Sequence, residues 1–203
     1  MYDIIRSLIG GVFLACSILA IVKSKLGRKR PLYFACVCAS FLLIWVLEFL
    51  PFENSFVTFD SPQAAYDYYT LEKPNIELVV EGDNCDLVID RQSHADHYLI
   101  IPKSADGWKI GINSDTKMVF QKIADGTVIR VYQYKNTSDL FLTILNGDGE
   151  EATVTDDRNT TFYSLGKYNA ALGATVVTYY AHITDLDPEY SVTVNDNRIV
   201  LKD

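Results

Sequence analysis

The chain has 203 residues, of which 49% are apolar and 12% aromatic, and its 26 acidic and 18 basic residues give a net charge of −8. This composition excludes a collagen-like fibre, a disordered tail and a nucleic-acid binder that relies on excess positive charge. The charge is divided along the chain, because residues 1–50 carry a net charge of +4 and residues 51–203 a net charge of −12. The sequence therefore predicts two physically different parts.

Two almost purely apolar runs occupy residues 4–22 and 32–50. A run of about 19 residues forms a helix about 28 Å long, which matches the roughly 30 Å hydrocarbon core of a bilayer. Residues 1–50 are therefore predicted to form a membrane α-hairpin of two transmembrane helices. Small residues spaced along both runs would pack the hairpin on itself or join copies into a homo-oligomer.

A short basic loop, residues 23–31, separates the two runs. Its positive side chains are Lys23, Lys25, Arg28, Lys29 and Arg30. Basic loops of this length stay in the cytoplasm, so these residues would determine the topology. The sequence thus predicts a multi-pass protein of the plasma (inner) membrane, with the lipid bilayer as partner and with the N-terminus and the C-terminal domain outside. The loop is too short to predict nucleic-acid binding.

After a connector at residues 51–60, a soluble domain is predicted over residues 61–203. Ser61 followed by Pro62 is a typical helix start, with serine as N-cap and proline in the first helical position. The helix would end before Pro74. It carries three tyrosines, Tyr66, Tyr68 and Tyr69. These rings are candidate ligand-binding aromatics, and the alternative is that they pack beneath the helix.

Short β-rich runs separated by Gly, Asn and Asp follow at intervals of roughly ten residues, a spacing typical of antiparallel sheets. The predicted strands are 76–80, 86–89, 98–101, 108–112, 118–123, 128–134, 140–145, 152–155, 161–164, 175–183, 190–194 and 199–201. The predicted fold class is a transmembrane α-hairpin plus a mainly antiparallel β (α+β) soluble domain with one short N-terminal helix.

Common catalytic and nucleotide-binding motifs are absent from the sequence. His94 and His97 flank Asp96 and offer imidazole and carboxylate ligands to a zinc ion. This cluster is the candidate metal site, with a solvated loop as the alternative interpretation.

Two acidic groups offer the hard oxygen ligands that calcium prefers, although neither follows the EF-hand spacing. The first contains Asp148, Glu150 and Glu151, and the second contains Asp185, Asp187 and Glu189. No cofactor is predicted, and zinc and calcium remain alternatives.

Several short motifs resemble those of uncharacterised membrane-anchored proteins of Gram-positive bacteria. They are Ser61-Pro62-x-x-Ala65-Tyr66, Trp108-Lys109-Ile110 and Asn136-x-x-Asp139, combined with the two apolar runs and the basic loop. The resemblance implies a two-helix hairpin, an extracytoplasmic β-rich domain and a bacterial host. It implies no activity and no catalytic residues.

These features favour a non-enzymatic, membrane-anchored envelope protein whose acidic domain binds or senses another component. The charge of −12 points to an envelope protein partner or a cationic ligand rather than an anionic surface. Two alternatives stay open: an extracytoplasmic metal-dependent hydrolase that uses His94 and His97, and an accessory subunit of a membrane complex.

Overall fold

A computed structural model describes residues 2–23, 30–49, 51–70, 74–92, 95–112, 115–169 and 174–201 of the chain. The chain divides into two compact units. One contains the two N-terminal helices, and the other contains the β-strands.

The N-terminal unit contains helices α1 (Tyr2–Lys23) and α2 (Arg30–Phe49), which pack against each other. The hydroxyls of Ser17 and Ser40 lie 2.8 Å apart, and Ser40 is fully buried. At Gly10 a β-carbon would lie only 2.8 Å from Ile44, so glycine is required for this approach. Small residues therefore bring the helices together, as expected for close helix packing.

The predicted transmembrane hairpin is wrong. A bilayer crossing needs about 20 consecutive, predominantly apolar residues, and within the residues described here no helix is long and apolar enough to cross. The predicted plasma-membrane localisation, with the basic loop in the cytoplasm and the N-terminus and C-terminal domain outside, is therefore wrong as well, because it depended on two crossings. An apolar run predicts that its side chains are kept away from water. It does not predict whether lipid or protein surrounds them.

The next segment contains a short 3₁₀ helix (Phe52–Ser55) and helix α3 (Pro62–Tyr69). The hydroxyl of Ser61 accepts a hydrogen bond from the backbone N–H of Ala64 at 3.1 Å. Ser61 is thus the N-cap and Pro62 the first helical residue, as the sequence predicted.

The remaining described chain is built from short strands that pair antiparallel. They are β1 (Ile76–Glu81), β2 (Cys85–Gln92), β3 (Ala95–Ser104), β4 (Gly107–Trp108), β5 (Thr116–Ala124), β6 (Thr127–Tyr134), β7 (Leu140–Asn146), β8 (Val154–Asp156), β9 (Tyr163–Asn169), β10 (Thr175–Ile183), β11 (Ser191–Val194) and β12 (Asn197–Val200). The predicted β-rich character is confirmed.

The strands form three sheets. The first sheet has the order β1-β2-β3-β4, the middle sheet β5-β6-β7-β10-β9, and the third sheet β12-β11-β8. Within the first sheet, neighbouring strands follow one another along the chain. In the middle sheet β10 lies between β7 and β9, and in the third sheet β8 pairs with β11 rather than with a strand next to it in sequence.

The middle sheet buries side chains on both of its faces. Val177, Tyr179 and Ala181 of β10 pack with residues of the third sheet, including Val192. Tyr180, which points to the opposite face, packs with residues of the first sheet. This alternation is the two-residue period of a strand, and it places the middle sheet between the other two.

Candidate ligand-binding pocket

A pocket of about 160 Å³ lies between the first and middle sheets, beside their shared core. Its lining residues come from β3, β6, β7, β9 and β10, and they are Asp96, Tyr98, Arg130, Thr143, Leu145, Tyr168, Thr178 and Tyr180. Aromatic and polar side chains dominate this set. Such a mixture is typical of small-molecule sites, where apolar walls hold a ligand and a few polar groups orient it.

Strand register explains why the floor residues converge. Thr143 of β7 pairs with Arg130 on one side and with Tyr180 on the other. Two residues further along β7, Leu145 pairs with Thr178 of β10. Residues paired directly across a sheet project from the same face, so these five side chains form one surface.

The side of the pocket is fixed by a polar cluster around Asp96. Its carboxylate accepts hydrogen bonds from Nε of Arg91 at 2.8 Å and from the hydroxyl of Tyr180 at 2.7 Å. Arg91 also donates to the carbonyl oxygen of Leu165 and lies over the ring of Tyr168, 4.9 Å from its centroid. The cluster therefore joins the first sheet to β9 and β10 of the middle sheet.

Tyr180 is protonated within this cluster. Burial, together with the negative charge of Asp96, raises its pKa. The phenol thus acts as a hydrogen-bond donor to a carboxylate that Arg91 already neutralises. Asp96 has its charge and its hydrogen bonds satisfied by the protein itself.

Two tyrosine rings extend the aromatic wall. Tyr98 and Tyr132 lie with ring centroids 5.1 Å apart and tilted by 53°. Burial and the hydrogen bond with Tyr132 raise the pKa of Tyr98, and the nearby positive charge of Arg130 partly opposes this. The hydroxyl of Tyr98 therefore stays protonated beside the guanidinium.

Thr178 places an unsatisfied hydroxyl on the pocket floor. The residue is only 2% exposed, and its Oγ1 has no hydrogen-bond partner among the described residues. An unpaired buried hydroxyl costs about 1–3 kcal/mol. Most buried polar groups are paired in folded proteins, so this exception needs an explanation.

Two of the predicted metal ligands, Asp96 and His97, lie on opposite faces of their strand. Asp96 is bound by Arg91 and Tyr180, whereas His97, the next residue on β3, projects from the opposite face of the strand and is exposed. His94 lies outside the described residues. In the parts of the chain described here, no group of three or more metal-binding side chains is found. Zinc binding stays a prediction.

The acidic groups considered for calcium include residues that form ion pairs with basic side chains. Asp187 pairs with Arg158, and Glu150 pairs with Lys167 at 3.0 Å. These contacts give each carboxylate a structural partner, and calcium binding likewise stays a prediction.

The three candidate ligand-binding tyrosines of α3 are not among the pocket-lining residues. Tyr66 on α3 is only 4% exposed, while Tyr68 and Tyr69 are half-buried, and their ligand-binding role remains a prediction.

Of the basic residues predicted to determine topology, two lie at helix ends. Lys23 is the last residue of α1 and Arg30 the first residue of α2. Lys25, Arg28 and Lys29 lie outside the described residues.

A second buried polar cluster surrounds Asp139, which is fully buried. Its carboxylate accepts backbone N–H groups from Asp83 at 2.8 Å and Asn84 at 2.7 Å. Nε2 of His182 lies 2.7 Å from Oδ1, and the thiol of Cys85 donates to Oδ2 at 3.4 Å. Burial alone would raise the pKa of Asp139, but the hydrogen bonds outweigh burial and lower it.

This second cluster is not arranged for nucleophilic chemistry. Asp139 stands between His182 and Cys85, so no contact joins the imidazole to the thiol. An activated thiol needs a base within hydrogen-bonding reach and a lowered pKa. Burial and the adjacent carboxylates instead raise the pKa of Cys85. Through Asp139, the cluster links the turn before β2, at Asp83 and Asn84, to His182 of β10.

Sequence reasoning missed the pocket because its residues come from five strands. The signal that was present is the alternation on β6, where Arg130 and Tyr132 interrupt the buried Ile129 and Val131. A polar and aromatic row on one face of a strand indicates a face that is not simple core.

The chain matches no protein-family model, no curated protein and no solved structure. The resemblance to membrane-anchored bacterial proteins therefore stays untested, and the pocket is interpreted from its own chemistry.

Proposed function

We propose that the β-rich unit is a non-catalytic binding domain that takes its ligand in the tyrosine-lined pocket between the first and middle sheets. One observation carries this proposal. Three tyrosine rings and the guanidinium of Arg130 converge from four different strands on one pocket, and a ligand would use both kinds of group.

The aromatic walls support a binding role. Tyr98, Tyr168 and Tyr180 all line the pocket. Tyrosine supplies a large amphipathic surface at a low cost in conformational entropy, which is why binding surfaces are rich in it. These rings would contact the body of a ligand while polar groups fix its orientation.

Pocket size limits the ligand. The volume of about 160 Å³ is below the range of about 300–1,000 Å³ that is typical of sites for drug-sized molecules. The pocket would therefore take a small molecule or a single protruding group of a larger partner.

Binding is favoured over hydrolysis by the state of the lining acid. Asp96 is the carboxylate of the lining, and it is held by Arg91 and Tyr180. A general base needs an available carboxylate that can reach the substrate, and Asp96 is already committed to contacts within the protein.

Ligand-observed NMR on the full chain tests the proposal with a defined panel: benzoate, benzamide, propionate and propionamide. We expect at least one compound to bind to wild type and to lose binding in Tyr168→Leu, which removes part of the wall. Tyr163→Leu is the matched control, because Tyr163 is an exposed tyrosine of the same strand outside the lining. If no compound binds, or if both variants behave alike, the proposal fails.

A further inference from the structure

We propose that the pocket recognises a carboxylate group and that Arg130 is its charge partner. This inference rests on the proposed binding function and specifies the chemistry of the ligand. It depends on how the two arginines near the pocket are used.

Arg91 has its charge fully engaged. It makes two hydrogen bonds to Asp96, from Nε at 2.8 Å and from Nη2 at 3.2 Å. The remaining Nη1 donates to the carbonyl oxygen of Leu165. Each nitrogen of the Arg91 guanidinium therefore already donates a hydrogen bond within the protein, and the bidentate pair with Asp96 balances its charge.

Arg130 is half-buried on the pocket floor, and its charge is not used in this way. Its Nε donates to the amide oxygen of Gln121 at 3.3 Å. Among the residues that the structure describes, no carboxylate lies within ion-pair distance of Arg130. Two terminal nitrogens therefore remain for a ligand.

The pocket consequently carries one positive charge in excess. Asp96 is balanced by Arg91, so the charge of Arg130 is left over in a region of the chain, residues 51–203, with a net charge of −12. The planar fork of arginine matches a carboxylate better than it matches any neutral group. An anionic ligand would be attracted to this charge.

The neighbouring groups fit the rest of such a ligand. Tyr98 lines the pocket beside Arg130, and its hydroxyl is hydrogen-bonded with Tyr132, so it contributes a ring face to the ligand. Tyr168 offers a second ring face. The arrangement suits a carboxylate attached to a small flat or apolar body.

A carboxylate of this kind has two sources, a free small acid or an acidic side chain displayed by a protein partner. The chemistry at Arg130 is the same for both. Matched pairs of acid and amide separate charge recognition from general binding: benzoate with benzamide as free compounds, and N-acetyl-aspartate amide with N-acetyl-asparagine amide as models of side chains. Two-dimensional NMR titration of the full chain gives the affinity of each.

At low salt we expect the acid of at least one pair to bind about tenfold more tightly than its amide, because a charge-assisted hydrogen bond to Arg130 is stronger than a neutral one. The preferred pair identifies the source. In Arg130→Gln the preference should disappear while the amide affinity is retained. Arg198→Gln, a change at an exposed arginine of β12, is the matched control and should keep the preference.

Two results would overturn the inference. Amides that bind as tightly as acids, with Tyr168-dependent affinity, would leave a binding pocket without carboxylate recognition. An acid preference that survives in Arg130→Gln would assign the charge to another residue. If none of the compounds binds, the proposed function fails together with the inference.

Discussion

Tyr180 donates a hydrogen bond of 2.7 Å to the carboxylate of Asp96, although the two residues are 84 positions apart in the chain. The bond crosses from the middle sheet to the first sheet and forms one side of the pocket. It therefore links the stability of the fold to the shape of the candidate site.

Tyr180→Phe tests this link. The change keeps the ring in the core but removes the hydroxyl, and we expect a loss of about 1–3 kcal/mol in the free energy of unfolding, because a buried carboxylate loses one donor. Urea unfolding at neutral pH measures it. Tyr163→Phe, at an exposed position opposite Tyr180, should change stability by less than about 0.5 kcal/mol. Equal stability of Tyr180→Phe and wild type would show that the bond contributes nothing.

Thr178→Val tests whether the unpaired hydroxyl of Thr178 destabilises the fold. Valine has nearly the same shape without the hydroxyl, so we expect the variant to be more stable than wild type by about 1 kcal/mol in urea unfolding. Binding of the compound panel should be retained, because the hydroxyl oxygen is buried. A variant that is less stable would show that the hydroxyl has a structural partner.

Thr116→Val is a second test of the same effect. Thr116 on β5 has the other unpaired buried hydroxyl found among the described residues, and it is not part of the pocket lining. We expect its replacement to raise stability by a similar amount. A loss of stability in this variant would show that its hydroxyl has a structural partner.

Acid stability should depend on Asp139. Its pKa is lowered in the folded chain, so its contribution is present above the unfolded pKa of about 3.9 and is lost as the pH falls through the lower folded value. Asp139→Asn should cost about 2–3 kcal/mol at pH 7. Its stability should also fall less steeply than that of wild type below about pH 4.

Urea unfolding over a pH series measures this dependence. Part of the acid slope should remain in Asp139→Asn, because hydrogen bonds from Thr160, Tyr190 and Arg158 outweigh burial and lower the pKa of Asp156 as well. Asp157→Asn, at an exposed neighbouring position, should leave both the stability and the slope unchanged. Parallel pH profiles for wild type and Asp139→Asn would contradict the assignment.

Cys85 should be chemically inert in the folded protein. The residue is fully buried, and burial raises the pKa of its thiol, so the reactive thiolate is scarce. Alkylation followed by peptide mass spectrometry should modify the exposed Cys16 rapidly and Cys85 only after unfolding. Comparable rates at the two cysteines under native conditions would contradict the buried position.

Local sequence signals predicted much of the β-rich unit. The strand at 175–183 has the bounds expected from its β-branched and aromatic run, and Ser61 caps its helix as the Ser-Pro pair indicated. The strand predicted at 108–112 is shorter, because only Gly107 and Trp108 pair with β3. A strand ends where its pairing with a neighbouring strand stops, and residue preference alone does not predict that position.

The hydropathy of the N-terminal runs predicted helices correctly and their environment wrongly. The pocket could not be predicted from the sequence either, because Asp96, Arg130 and Tyr180 come together only through sheet register and packing between sheets. His97 and Asp96 are adjacent in sequence, and strand alternation separates them. Proximity along the chain was therefore a poor guide to chemistry in this fold.

The binding proposal is tested most directly by a crystal structure of the full chain soaked with the compound panel. We expect one compound to lie in the pocket against the rings of Tyr98 and Tyr168. A pocket that holds only solvent in crystals whose other surfaces accept the same compounds would contradict the proposal.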